Sequence, residues 1–412
     1  MSSPRQSPET DAEGLYAWVM VWATFVALAV IFGVAYSFAA FFEPLARAFD
    51  APRAEVALVF GLSGLVYFVL GAAGGWLADR HGPPIVCGAG MLCIAAGLVG
   101  ASLAQSIQAV YWAYGAGVGV GIALVYTPSI AAVQPWFTRR RGLASGIASA
   151  GIGAGTVAVP LAATALIAAW QWRGALQGLA LFVLSVGLGA ALLLKRAPAA
   201  TARGGQAVAG HSLAQALRTP SFGWLYLMTL ASGPVMFIPF AHVSAAARDL
   251  GVADGLAVGL VGVIGIGSLV GRFVIGALAD RLGRPLTLLL AQASLGLSYL
   301  LWWAAGGHLA MALFALWLGL SYGGIVSLLP ALVMDCFGPR AVSAILGTLY
   351  TGAALGNLGG PWLAGAVFDA RGSYTPVILA CLALSALATA ASSRLLPSRR
   401  AGAAGNTRGT AA

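Results

Sequence analysis

Charge is what this 412-residue sequence has least of: Asp, Glu, Lys and Arg make up 8% of it, against 60% hydrophobic residues. Mean hydropathy is +0.89, a balance that leaves too little polar surface to cover a soluble globule. Cysteine is almost as scarce. Cys87, Cys93, Cys336 and Cys381 fall inside apolar runs or at their ends, without metal-ligand spacing or an extracellular disulfide framework, so they are expected to pack. There is no HExxH, no P-loop and no nucleotide-binding glycine fingerprint, which removes the common metalloprotease and nucleotide chemistries. No metal or cofactor is expected. One GxSxG match, Gly319 to Gly323, sits within an apolar run, whereas a nucleophile elbow needs a strand-turn-helix junction with His and acid partners. A membrane enzyme is therefore a remote alternative. The net charge of +10 calls for no nucleic acid: it suits membrane orientation and anionic headgroups.

What the chain does have is long apolar runs, each able to cross a hydrocarbon core of ~30 Å as a helix. Twelve are predicted, over 15–42, 55–78, 84–104, 109–133, 142–168 and 174–194, then 220–247, 254–279, 285–304, 309–336, 340–367 and 374–396. The fold class is thus an all-α membrane protein. The first run is too long for a signal-peptide core and follows a polar segment holding Glu9, Asp11 and Glu13, so it reads as a retained first helix. An even number of spans puts both termini on one side. With that side cytoplasmic, Arg47, Arg53, Arg173, Arg248 and Arg371 fall outside, Arg272 falls within a span, and the rest of the 22 basic residues stay inside, as the positive-inside rule requires.

The chain also repeats itself. "GWLADRHGPP" from Gly75 to Pro84 returns 201 positions later as "GALADRLGRP" from Gly276 to Pro285. The same offset pairs Gly146 with Gly347, Gly151 with Gly352, Gly155 with Gly356 and Pro160 with Pro361. Two six-helix bundles follow, 15–194 and 220–396, joined by a basic Ala/Gly-rich linker over 195–219 and flanked by tails at 1–14 and 397–412. Parallel repeats of this kind suit a transporter with its substrate at the midplane between halves. The decapeptides fall in the short cytoplasmic loops after helices 2 and 8. There Asp79, Arg80, Asp280 and Arg281 are expected to form a charge latch between helices, with Arg140 of the "RRR" cluster beside them; the plainer alternative is that they mark the membrane boundary.

No acidic residue falls in the middle of a span, and the only basic one that does is Arg272. It lies eight residues before Asp280, about 12 Å deep at 1.5 Å per residue. Holding a guanidinium there costs ~3 kcal/mol on insertion scales, so it should have a partner. With no carboxylate at that depth, the substrate's own carboxylate is the simplest partner, gripped through two parallel hydrogen bonds; the structural alternative is snorkelling or capping of backbone carbonyls. The position equivalent to Arg272 in the first half is Gly71, so charge should come from one half and space from the other. Tyr322, Tyr36, Phe38, Tyr126, Asn357 and Ser268 are the mid-span groups that could complete a site for a short carbon chain. Aromatic residues in apolar helices more often simply pack.

Five stretches carry a family resemblance: the two decapeptides, "EGLYAW" from Glu13 to Trp18, "WFTRRRGLASGIASAGIGAG" from Trp136 to Gly155, and "GPWLAGAVFDARGSY" from Gly360 to Tyr374. Together they resemble the monocarboxylate transporter branch of the major facilitator superfamily along the full chain, the helix-5 stretch being the most specific. That resemblance implies the major facilitator fold, a proton-linked carrier of small carboxylates such as lactate or pyruvate, a cell-membrane location, and a binding arginine on helix 8. The pattern breaks in two places. The family's helix-1 lysine is replaced in the region of Ala39 and Ala40, and the aspartate four residues before the helix-8 arginine is Ser268. Another group must then carry the proton. His242 and Asp249, seven apart on one face at the outer end of helix 7, are the candidates. Anion exchange remains the nearest competitor, although a dicarboxylate would need a second fixed positive charge in the site. A channel or receptor suits the duplicated loops less well.

Overall fold

The structure, a computed structural model, describes residues 14–137, 141–196, 210–338 and 340–396; Arg140 lies outside the described residues. These residues form helices and loops, with no strand among them. The first half runs α1 Leu15–Phe49, α2 Arg53–His81, α3 Pro83–Ser102 and α4 Ile107–Trp136. The helical stretch that follows breaks at Gln171, whose φ of 57° and ψ of 174° no helix accommodates, and so divides into α5 (141–170) and α6 (172–193). The second half runs α7 Pro220–Asp249, α8 Asp254–Leu282, α9 Arg284–Trp303, α10 His308–Phe337, α11 Val342–Arg371 and α12 Thr375–Ser393. Ten stretches are long and apolar enough to cross a membrane. One of them holds both α5 and α6, and α11 stands outside the ten, so the described residues contain twelve long helices.

These helices follow the expected spans closely. The chief difference is α1, which continues past residue 42 to Phe49 through Pro44; Phe42 and Leu45 are buried, and packing holds the helix beyond the proline. Both decapeptide loops turn on a glycine of positive φ, Gly82 at 96° and Gly283 at 83°. Their N–H groups donate to Ala78 and Ala279 at 2.8 and 2.9 Å, so the two loops share one geometry that only glycine adopts without strain.

The helices alternate in direction. One face therefore carries the start of α1, the end of α6 and the linker; the Tyr16 hydroxyl there donates to Leu193 at 2.8 Å. This is the linker face, and the opposite one the far face. A capping box of Ser212 and Gln215 opens a helical turn, Leu213–Leu217, within the linker, and the His211 N–H ties it to the carbonyl of Phe337 at 2.8 Å.

Contact between α1 and α5, and between α7 and α11, is made at the repeated glycines. Gly151 and Gly155 lie on the carbonyls of Phe25 and Ala29, and Gly356 lies on Gly233. The halves meet where α2 crosses α11, at Gly61 and Gly64, and where α5 crosses α8, at Gly153 and Gly265. In lipid, association rests on such close backbone packing rather than on the hydrophobic effect. Within the second half, α8 lies against α10 at Gly267, Gly271, Gly319 and Gly323; a Cβ at Gly271 would meet the carbonyl oxygen of Leu320. Gly271→Leu should therefore cost about 1–3 kcal/mol and lower the melting temperature in detergent by several degrees, whereas Gly276→Ala, with open space around it, should not. Equal melting temperatures for the two variants would contradict this packing.

Candidate functional site

Between the halves lies a cavity of about 70 Å³, room for several waters or a small anion on a scale of roughly 10–15 Å³ per water. Its wall is mostly aromatic and apolar, with Phe32, Tyr67 and Tyr126 from the first half and Tyr322 and Tyr350 from the second. The cation in it is Arg272. Ten residues separate Arg272 from the linker-face end of α8 at Leu282, about 15 Å of helix. The side chain is half-buried and shares the cavity with the phenols of Tyr126, Tyr322 and Tyr350. Among the described residues no carboxylate pairs with it. Gly71, its counterpart in the first half, lines a second, wider space.

That second space is a vestibule of about 1070 Å³ lined by residues of both halves, from Gly71 to Asp79 on one side and Ala344 to Tyr350 on the other, with Lys195 and Arg196. Tyr67, Phe68, Tyr126 and Tyr350 line both the inner cavity and the vestibule. Phe68 and Tyr350, from opposite halves, stand 5.7 Å apart between ring centroids and form a neck between them. The expected latch is not formed among the described residues. Asp79, Arg80, Asp280 and Arg281 are exposed, and none forms an ion pair among the described residues. Arg196 donates to the carbonyl oxygen of Asp79, and at this face Arg284 pairs with Asp335, 2.5 Å apart within the second half.

The far face, by contrast, is shut by Arg53 at the start of α2. Its guanidinium grips Asp249 of α7 through two hydrogen bonds of 2.7 and 2.8 Å, donates to the Tyr374 hydroxyl at 2.9 Å, and stacks 3.9 Å from the Phe368 ring centre. The Asp369 carboxylate of α11 accepts from the backbone N–H groups of Arg53 and Ala54, at 3.0 and 2.9 Å. A side chain of one half thus caps a helix of the other, where the helix dipole favours negative charge. Below this lock, α1 and α7 are zipped by Tyr36 stacked on Phe240 at 4.2 Å, by Ser244 donating to Ala39 at 3.2 Å, and by Phe42 edge-on to His242.

The structure brings some predicted residues together and separates others. The Tyr36 and Tyr322 hydroxyls, 286 positions apart in sequence, are hydrogen-bonded across the halves at 3.3 Å, and Tyr126 lines the cavity with Arg272 and Tyr322. Phe38 is fully buried in the first half, packed among Phe42, Phe60 and Tyr114, and is a core residue rather than a wall of the cavity. Asn357 sits at the crossing of α2 and α11, its amide donating to Gly61 at 3.4 Å; it also stands away from the cavity lining. Ser268 is buried one turn from Arg272, and its hydroxyl has no partner among the described residues.

His242 and Asp249 do not touch. Asp249 is held by Arg53, while the fully buried His242 has Tyr374 at 2.9 Å on Nδ1 and the carbonyl of Pro361 at 2.8 Å on Nε2. The helix turns that align them in sequence leave each to a nearer partner from another helix. They are linked through Arg53 and Tyr374, which sequence reasoning missed because α2 and α12 meet α7 only in three dimensions. Gln292, Ser232, Tyr67 and Tyr350 also line the cavity unforeseen. For Gln292 a signal existed: it is the one amide within the apolar run of α9.

Two six-helix halves, a central cavity with a lone cation, one face locked and the other open: these features define a secondary transporter of the two-repeat kind. The comparisons agree. The sequence profile of the Major Facilitator Superfamily matches residues 23–266 and 235–411. The chain is 30% identical over 370 residues to "Monocarboxylate transporter 13" of Bos taurus, covering 88% of this chain and 85% of that protein. It is likewise 30% identical over 388 residues to "Monocarboxylate transporter 11" of Homo sapiens, covering 90% and 81%. It therefore belongs to the monocarboxylate transporter family within the major facilitator superfamily, as a multi-pass membrane transporter and not an enzyme. Among solved structures, a bacterial homolog to the human lysosomal transporter Spinster, inward-facing and occupied, shares the fold with a TM-score of 0.70 at 16% identity, covering 93% of this chain and 96% of that one. The same homolog in its inward-facing, unoccupied form has a TM-score of 0.68.

Arg53→Gln should loosen the far face. Arg53 and Asp249 are partly exposed, at 18% and 37%, so the pair contributes about 1 kcal/mol after screening, roughly a fivefold shift in population. Amides over 50–58 and 366–375 should then exchange faster by mass spectrometry. Unchanged protection would contradict the lock.

Proposed function

We propose that the protein carries small monocarboxylates across the cell membrane by alternating access, with Arg272 holding the carboxylate. The observation that carries this reading is the uncompensated guanidinium in the central cavity, with no protein carboxylate paired to it among the described residues. A single positive charge balances one carboxylate and leaves a dianion half paired, at a cost a low-dielectric cavity does not forgive. The names of the relatives point the same way. The Tyr36 and Tyr322 pair bridges the halves beside this site, so an anion drawn to Arg272 bears on groups from both at once.

A proton accompanies the anion on this reading. The helix-1 lysine and helix-8 aspartate of the family pattern are absent, and Ala39 and Ser268 cannot titrate. His242 touches both the α1–α7 seam, at Phe42, and the far-face lock, at Tyr374. Tyr374 connects it to Arg53, and Arg53 to Asp249. A proton on Nδ1 of His242 would turn that nitrogen from acceptor to donor, and the Tyr374 hydroxyl facing it would have to reorient. Protonation is thereby tied to the lock.

Arg272→Gln should reduce lactate uptake into proteoliposomes by about two orders of magnitude, equivalent to ~3 kcal/mol for a buried charge pair that loses one partner. Normal uptake by intact, folded variant would reject the site. External pH followed during lactate influx should rise as protons enter with the anion, and His242→Gln should abolish that rise. An anion exchanger would move lactate with no pH change.

A further inference from the structure

Gln292 is fully buried in α9, yet it lines the same cavity as Arg272. Its Oε1 accepts from the Ser232 hydroxyl at 3.0 Å, a donor also 2.7 Å from the carbonyl of Met228. Its Nε2 has no hydrogen-bond partner among the described residues. A buried amide N–H₂ without a partner costs about 1–3 kcal/mol, and nothing in the apolar run of α9 obliges a glutamine there. The first-half counterpart of Gln292, at the 201-residue offset, is Met91, fully buried in the core and silent as a donor.

Depth and layer say what the amide could reach. Eight residues separate Gln292 from the linker-face start of α9 at Arg284, about 12 Å of helix and within one turn of the level of Arg272. Laterally the two are in different rows. α8 packs on α5 of the other half and faces the seam, whereas α9 packs chiefly on α10 and α12. Gln292 therefore enters the cavity from a second row of helices, behind α7 and α10, and adjacent helix axes are about 8–10 Å apart. Thr229 and Ser232 of α7 line the cavity beside it and make a small polar bay in an otherwise apolar wall.

We propose that the Gln292 amide is a specificity-determining contact, donating a hydrogen bond to an acceptor on the substrate's carbon chain remote from the carboxylate. The preferred cargo is then a carboxylate of about five carbons bearing a distal carbonyl or hydroxyl, rather than a plain alkanoate. With Oε1 accepting from Ser232, Nε2 is the amide atom left without a partner among the described residues. This inference rests on Arg272 as the carboxylate's anchor, because the anchor sets which end of the substrate meets the bay.

The test compares uptake of pentanoate, 2-oxopentanoate and 4-oxopentanoate into proteoliposomes holding the full-length protein. Expected is a KM for 4-oxopentanoate about threefold to tenfold below that for pentanoate, the worth of one neutral hydrogen bond. In Gln292→Met, which keeps the side chain's length and removes the amide, that ratio should fall to near one. Gln292→Asn, which withdraws the amide by one methylene, gives a second measurement should the first variant misfold, and it should shrink the ratio as well. Equal KM values for pentanoate and 4-oxopentanoate in the unaltered protein would mean that water alone satisfies the amide and would overturn the proposal. So would a preference that survives Gln292→Met, or one found for 2-oxopentanoate instead. The Arg272→Gln protein separates the two readings. If it takes up all three acids normally, the anchor fails whatever the ratio does; if it takes up none, a ratio unmoved by Gln292→Met sinks only the role of the amide.

Discussion

A guanidinium about 15 Å from the nearer end of its helix, with no carboxylate paired to it among the described residues, is the constraint around which the rest of the molecule is arranged. Such a charge survives in an apolar bundle only if it faces an internal space that water or an anion can enter. That requirement places the cavity at the seam of the halves and puts phenols rather than aliphatic groups around it. It also makes the two halves unequal. Their backbones repeat at a 201-residue offset, but Arg272 and Gln292 answer to Gly71 and Met91, so the second half carries the polarity and the first supplies aromatic wall and room.

Closure at the far face uses a different kind of interaction. Asp369 of one half caps the first turn of a helix in the other, and Arg53 at that same turn reaches Asp249 and Tyr374. Each of these bonds is partly solvated and modest in energy. Together they join the two halves at the far face. At the linker face the duplicated decapeptide loops keep closely similar backbone turns at Gly82 and Gly283, and Asp79 of the first lines the vestibule.

The fold was largely legible in the chain. Span positions follow from apolar runs, because a helix that must satisfy its own backbone in lipid has little freedom to be anything else. The halves follow from the repeat. Arg272 was legible for the same reason: a charge where charge is costly needs an explanation. Tyr36, Tyr126 and Tyr322 could be picked as candidates, but their meeting could not, since 286 positions separate the two hydroxyls that bond. Phe38 and Asn357 show the opposite error, residues of suitable chemistry whose rotation about the helix axis turns them into a core and a helix crossing. His242 and Asp249 share a helix face in the sequence, yet each finds its partner on a helix distant in the chain, Tyr374 for His242 and Arg53 for Asp249.

Composition and apolar runs thus determined a helical membrane protein with an intramembrane cation, since both follow from local rules about what lipid tolerates at each position, and the 201-residue repeat divided it into two halves. Which side chains share the cavity, which face is closed, and that Arg53 with Asp369 closes it were decided only by tertiary packing. Helix rotation and the crossings of α2 with α11 and of α5 with α8 are set by backbone contacts at glycines, and no single run of sequence contains both sides of such a contact.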